Sequence, residues 1–175
     1  MKISEDKSYF KYQIPNYKNF KKELIDLIYK SNFETVDKYG EKVSFSDFKY
    51  SKDFSRKYVI YIFNKIIKDF IKEFCRANNC KLISIHNIWF QIYKTGDFHS
   101  IHTHASSNFT NIVYIDMPMD KIKTNVYSLN KDKIDIEIKE GDILTFPAFF
   151  PHESPVNDCK DNKIVVSFNS SIEDI

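Results

Sequence analysis

Residues 95–107 read TGDFHSIHTHASS, so three of the chain's five histidines, His99, His102 and His104, fall within six positions. Imidazole is the commonest metal-binding side chain, and its neutral form suits iron, zinc, copper and nickel. His102 and His104 are separated by one residue. On extended backbone such positions project to the same side, so both rings can reach one ion. A third ligand has to come from a distant segment, and His152 in EGDILTFPAFFPHESPV is the candidate. There Gly141 permits a tight turn, Pro147 ends a strand and Pro151 stiffens the approach to the histidine. Three such ligands cap one face of an ion and leave the opposite positions open for substrate and oxygen. His99 reads as solvated or substrate-facing. His86 falls by alternation on an aliphatic face, as a buried neutral histidine. A solvated loop is the alternative for the cluster as a whole.

The elements that must position these residues change character near residue 80. Before it, apolar residues recur at helical spacing: Phe20, Leu24, Leu27 and Ile28, then Val59, Phe63, Ile66, Ile67, Phe70 and Phe74, which predict a helix near 55–77. The stretch around Gly40 reads as loop or short strand. After residue 80 the period becomes two. ISIHNIWFQIY, residues 83–93, puts Asn87, Trp89, Gln91 and Tyr93 on one face and Ile88, Phe90 and Ile92 on the other. NIVYIDMP, KIDIEIKE, GDILTFP and KIVVSFN read as further strands. Many short strands without intervening helices predict a mostly-β chain, a sandwich or jelly roll, backed by N-terminal helices. We place a helical support region at 1–80 and the β core at 81–175, together one structural domain. The polar, aromatic face of residues 87–93 then looks into an open mouth, and the aliphatic face packs on the helices. Trp89 reads as a packing residue in the barrel wall.

Composition narrows the function. The 175 residues carry a net charge of +2, with lysines interleaved among acids, which gives no support to nucleic-acid binding. No run of eighteen apolar residues predicts a membrane span, and the start, MKISEDKSYFKY, lacks a signal core. The odd cysteines Cys75, Cys80 and Cys159 fit free thiols in a reducing cytoplasm, a host's if the source is viral. Arginine occurs only as Arg56 and Arg76, while residues with A/T-rich codons abound, which we read as genomic bias. Lys163 is therefore a permanent cation in the half of the chain that holds no arginine. It shares a strand face with Val165, Ser167 and Asn169 and can point inward.

YKTGDFHSIHTH, GDILTFPAFFPHESPV and NKIVVSFNSS together resemble the signature of Fe(II)/2-oxoglutarate dioxygenases of the prolyl-hydroxylase branch. The match is to small oxygenases common in marine phages and bacteria. Asn87, Trp89, Gly96, His102, His104, Tyr114, Gly141, Phe146, Pro147, His152, Lys163, Ser167, Phe168 and Asn169 follow that pattern in order over residues 83–170. The resemblance implies a double-stranded β-helix, a jelly roll of cupin-like form, and a hydroxylase that uses molecular oxygen and decarboxylates 2-oxoglutarate to succinate. It implies His102 and His152 as iron ligands and Lys163 as partner of the distal carboxylate, with Tyr114 and Tyr93 flanking it. Ser167 lies two residues beyond Val165, where many relatives carry a cosubstrate-contacting serine, and joins the expected contacts. His104 stands where an Asp or Glu usually sits. Either three neutral imidazoles bind the metal, leaving the site one charge more positive, or water or a nearby acid such as Asp97 takes that position. Lysine offers a point charge without arginine's fork, so tyrosine hydroxyls must supply direction. The rings of His102, His104 and His152 are expected to converge to roughly 3–4.5 Å. Lys163 is expected at the closed end beside Tyr114. The loop after His104 and the stretch 119–133 are expected to shape the entrance. The substrate, a small molecule or a protein side chain, is not legible. The rival readings are a cupin-like metalloprotein without 2-oxoglutarate and a non-enzymatic jelly-roll binding protein.

Overall fold

The computed structural model of the chain describes residues 8–119 and 122–173. Its strands are β1 (Phe10–Gln13), β2 (Glu34–Lys38), β3 (Glu41–Ser46), β4 (Ile83–Tyr93), β5 (Phe98–His102), β6 (Phe109–Asp116), β7 (Asn125–Val126), β8 (Asp142–Pro147), β9 (His152–Ser154) and β10 (Lys163–Ile172). They form one curled antiparallel sheet in the order β1-β8-β6-β10-β4-β3-β5-β9-β7, with β2 attached to β3. The helices are α1 (Lys18–Tyr29), α2 (Lys57–Ile62) and α3 (Lys68–Asn78), the last two joined through a π-helical turn at Phe63–Ile67. Asn79 stops α3 in the left-handed region at φ 52°. The helical spacing near 55–77 thus corresponds to one long, locally widened helix.

The two faces of β4 sort as its alternation predicts. Ile88, Phe90 and Ile92 join Leu24, Ile28, Ile62, Ile66, Phe70 and Phe74 in a core between sheet and helices. Trp89, Gln91 and Tyr93 look the other way, into the curl of the sheet. A second cluster, including Tyr114, Leu144, Phe146, Ile136 and Ile138, fills the inner end of the curl.

Two local expectations are corrected. His86 is exposed and bonds Ser171 Oγ at 2.8 Å. The β4–β10 register slips at Asn169/Ser170, and His86 is the extra residue, so alternation from Asn87 misplaces it. KIDIEIKE is not a ladder strand. Its burial alternates, Ile136 and Ile138 in and Asp135, Glu137 and Lys139 out, yet only Lys133 makes a bridge, to Tyr127. Lysine side chains serve its carbonyls instead: Lys123 donates to Ile136 O, and Lys11 to Glu137 O at 2.9 Å. The stretch around Gly40 is a β2–β3 hairpin. β3 enters the sheet between β4 and β5, pairing Phe45 with Ile92 and Glu41 with His99. Ser100 clips its turn, both N–H and Oγ donating to Gly40 O, at 2.8 and 2.6 Å.

A buried ion pair fixes the helix layer to this sheet. Asp47, fully buried, accepts hydrogen bonds from Phe90 N and Tyr58 OH, each at 2.8 Å, and pairs with Arg56. Arg56 also donates to Ile88 O at 2.6 Å. Burial raises the Asp47 pKa, opposed by these donors. One arginine thus links the start of α2, the end of β3 and the middle of β4.

Candidate active site

His102 ends β5 and His152 begins β9, and the two are direct cross-strand partners. Their side chains therefore share the inward face. His104 lies just past β5, where its N–H donates to Ala148 O at 2.9 Å and ties the segment to the turn before β9. Ring nitrogens of His102, His104 and His152 lie within 4.8 Å of one another, slightly wider than the expected span. Among the described residues no acid joins this group. Asp97 is committed elsewhere: its carboxylate accepts from Lys94 N and Ser44 N, each at 2.8 Å, pinning the β4–β5 turn to β3.

The hydrogen bonds of the rings decide which nitrogen faces the cavity. Nδ1 of His102 lies 2.8 Å from Ser100 O, Nδ1 of His152 lies 3.0 Å from Phe150 O, and Nδ1 of His104 lies 2.6 Å from Asn169 Oδ1. Each partner is an acceptor, so each Nδ1 carries the proton and each Nε2 keeps its lone pair. Burial lowers all three pKa values, to about 3 for His152, and the rings are neutral at ordinary pH. Three oriented, unprotonated Nε2 atoms suit a divalent transition metal, and outer hydrogen bonds of this kind hold metal-binding imidazoles in register. His99 stays outside this set. It stacks on His102, with ring centroids 3.8 Å apart and planes 10° apart, and its Nδ1 is 3.7 Å from Glu41 Oε1.

The histidines share a cavity of about 670 Å³ with the inward faces of β4 and β10. Lys163 lines it and is 1% exposed. Its Nζ donates to Ser154 Oγ at 2.8 Å and lies 5.1 Å from the Tyr93 ring centroid. Ser154 also hydrogen-bonds the Tyr93 hydroxyl. No carboxylate pairs with Lys163 among the described residues, and burial alone lowers its pKa to about 7. Tyr93 and Ser167 line the cavity; Tyr114, also fully buried, does not, and its hydroxyl accepts from Thr124 N at 3.3 Å behind the wall. Thr124, from the stretch 119–133, is itself a lining residue; residues 120 and 121 lie outside the described ones, as does most of the start read for a signal core. Trp89 is a wall residue that also touches the site, packing on Phe48 at 5.1 Å and on His104 at 5.8 Å between centroids.

Sequence reasoning missed Ser154, the partnership of Asn169 with His104, and the β2–β3 hairpin, whose Glu34, Asp37, Lys38 and Glu41 border the cavity. Ser154 had a signal: it stands two residues after His152 and shares its strand face. The hairpin had one in the period-two run of EKVSFS after Gly40.

No family model matches the chain, and no curated protein matches it. Solved structures do. A viral collagen prolyl hydroxylase from Paramecium bursaria Chlorella virus-1, solved as a 2-oxoglutarate complex, superposes with a TM-score of 0.67 at 17% identity, covering 97% of this chain and 98% of that one. An oxidoreductase of the 2OG-Fe(II) oxygenase family from Burkholderia pseudomallei gives 0.75 at 11% identity, over 94% and 85%. A prolyl-4-hydroxylase from Pseudomonas putida gives 0.69 at 9% identity, over 95% and 93%. With the histidines converged in the curl of its sheet, the chain has the fold of the 2-oxoglutarate–iron(II) oxygenases.

Proposed function

We propose that the protein is an Fe(II)- and 2-oxoglutarate-dependent dioxygenase with a double-stranded β-helix core. It would hydroxylate its substrate with one atom of dioxygen, while the other enters the succinate formed from 2-oxoglutarate with loss of carbon dioxide. Lys163 carries this reading: a buried cation without an anionic partner among the described residues, in the cavity where three imidazoles turn Nε2 inward. A desolvated, unpaired ammonium is costly, and a dianionic ligand that reaches it removes that cost.

In this reading His102, His104 and His152 hold the iron, which when bound supplies the oxidising chemistry together with 2-oxoglutarate and dioxygen. Lys163 holds the distal carboxylate of the cosubstrate, and Ser154 and Tyr93 fix its direction. Ser167, beside Trp89 in the β4–β10 pair, contributes a hydroxyl further along the same wall. Tyr114 braces the wall from behind through Thr124. The apolar surfaces of Val165 and Ile112 exclude water from the reacting centre. The helices before residue 80 would support the sheet, to which β1 and β3 add strands, and the β2–β3 hairpin adds its outer border. The thiols of Cys75 and Cys80 suit a cytoplasmic setting, and no described helix is long and apolar enough to cross a membrane.

The test is anaerobic titration of the Fe(II) protein with 2-oxoglutarate, following the visible charge-transfer band of the chelate. The band is expected in the natural chain. Lys163→Met should weaken cosubstrate binding about ten- to hundredfold, the loss of one charge-assisted contact, while metal still binds. Iron bound with no band at saturating 2-oxoglutarate would instead support a metal-cupin, which the all-histidine donor set also suits.

A further inference from the structure

The cavity is electrically polarised. Among the described residues no acid joins the three histidines and no carboxylate pairs with Lys163, so Lys163, a divalent metal and a dianionic cosubstrate together carry one positive charge. The cavity border has the opposite sign. Glu34, Asp37 and Glu41 of the β2–β3 hairpin line it, with Lys38. Lys38 is committed to Glu41 at 3.2 Å, which leaves Glu34 and Asp37 without an ion pair among the described residues. The acids do not ride on a free loop. β3 is a sheet strand between β4 and β5, and the hairpin turn is clipped to Ser100.

Two further observations point to a ligand in the same space. Gln91, 7% exposed, lines the cavity with a side-chain amide that has no hydrogen-bond partner among the described residues. Phe48, 54% exposed, stands at the border with its ring against Trp89, a face available to a cation. We infer that the substrate carries a positive charge, a protonated amine or guanidinium. That group rests at the border between Glu34, Asp37 and Phe48. An uncharged carbon chain leads inward past Gln91 to the histidine cluster. The reverse orientation would bring the cation to the metal and Lys163, where it meets like charge.

This inference rests on the dioxygenase reading, and the experiment separates the two. The protein is loaded with Zn(II) in place of iron, and 2-oxoglutarate binding is measured by calorimetry. A metal-loaded protein that binds none overturns the dioxygenase reading. Probe binding is then measured by saturation-transfer NMR with and without 2-oxoglutarate. One arm uses free amines, n-pentylamine and agmatine, against 1-pentanol and pentanoate. The other uses blocked pentapeptides with a central Lys or Arg against the same peptides with norleucine or Glu. A cationic probe in at least one arm is expected to bind about tenfold tighter than its neutral counterpart and tighter still than its anionic one. The arm in which this occurs distinguishes a free amine from a protein side chain. In the Glu34→Gln/Asp37→Asn double variant the preference should shrink to about threefold or less. No binding of any cationic probe, no preference for charge, or a preference that survives the double variant overturns the inference.

Discussion

Asn169 does for His104 what backbone carbonyls do for the other two histidines. His102 and His152 each find an acceptor two residues upstream, a local solution available on any strand end. His104 lies off the strand and has none, so its Nδ1 depends on a side chain 65 residues away. Asn169→Leu keeps the volume and removes the acceptor. Metal affinity is expected to fall about 10–100-fold, measured by competition with a chromophoric chelator, and Asn169→Asp should recover most of it. Equal affinity in Asn169→Leu would show that His104 does not ligate. The histidines themselves were legible, because i, i+2 spacing on an extended segment forces two rings to one side. Their orientation was not, since each depends on an acceptor that only the folded backbone brings near. Gln91 was placed on the inward face by alternation, but that its amide lacks a partner is a property of the finished cavity.

Among the elements, those with an unbroken period were read well. β4 occupies the residues its alternation marks, and its two faces divide between core and cavity. Where the period is broken or unsupported the reading failed for physical reasons. The slip beside His86 adds one residue to one strand, which cannot be seen without the partner strand. In 133–140 the alternation records which side chains are buried, but not whether a neighbouring strand is there to pair. The helices add a different kind of constraint through Asp47 and Arg56. Removing one member of a buried pair strands the other charge. Arg56→Met should therefore cost about 3–5 kcal/mol in urea unfolding. Adding Asp47→Asn should return a substantial part of that loss, because the stranded carboxylate is then gone. If Arg56→Met unfolds at the wild-type urea midpoint, the pair does not anchor the helices.

At the scale of the whole molecule, the site is held at a cost in stability. The Lys163 pKa of about 7 lies below its ordinary 10.5, so between these values the folded chain binds fewer protons than the unfolded one. Unfolding then takes up protons, and stability rises with pH across that window. The full cost is present below about pH 7 and disappears as pH approaches 10.5. Without metal or cosubstrate, Lys163→Met should be more stable than the natural chain at pH 6 by on the order of 1–4 kcal/mol, measured by urea unfolding. The advantage should shrink steadily by pH 10. A Lys163→Met chain less stable at pH 6 would mean that the ammonium already has a partner. The substitution that strengthens the fold is thus the one expected to weaken 2-oxoglutarate binding.

The position of β10 has a consequence for how the chain is made. β10 lies between β6 and β4, and it is the only link in the strand order between β1-β8-β6 and β4-β3-β5-β9-β7. It is also synthesised after every strand it joins. Without it, no strand pairing joins the two blocks of the sheet among the described residues. Lys163, Ser167 and Asn169 arrive together on that strand, and the wall of the cavity arrives with them. A nascent chain stalled before residue 163 has all of its metal-seeking histidines, yet lacks the acceptor for His104 and the cation of the pocket. It also lacks the strand that pairs the facing edges of β6 and β4, and unpaired edges of that kind invite association with other chains.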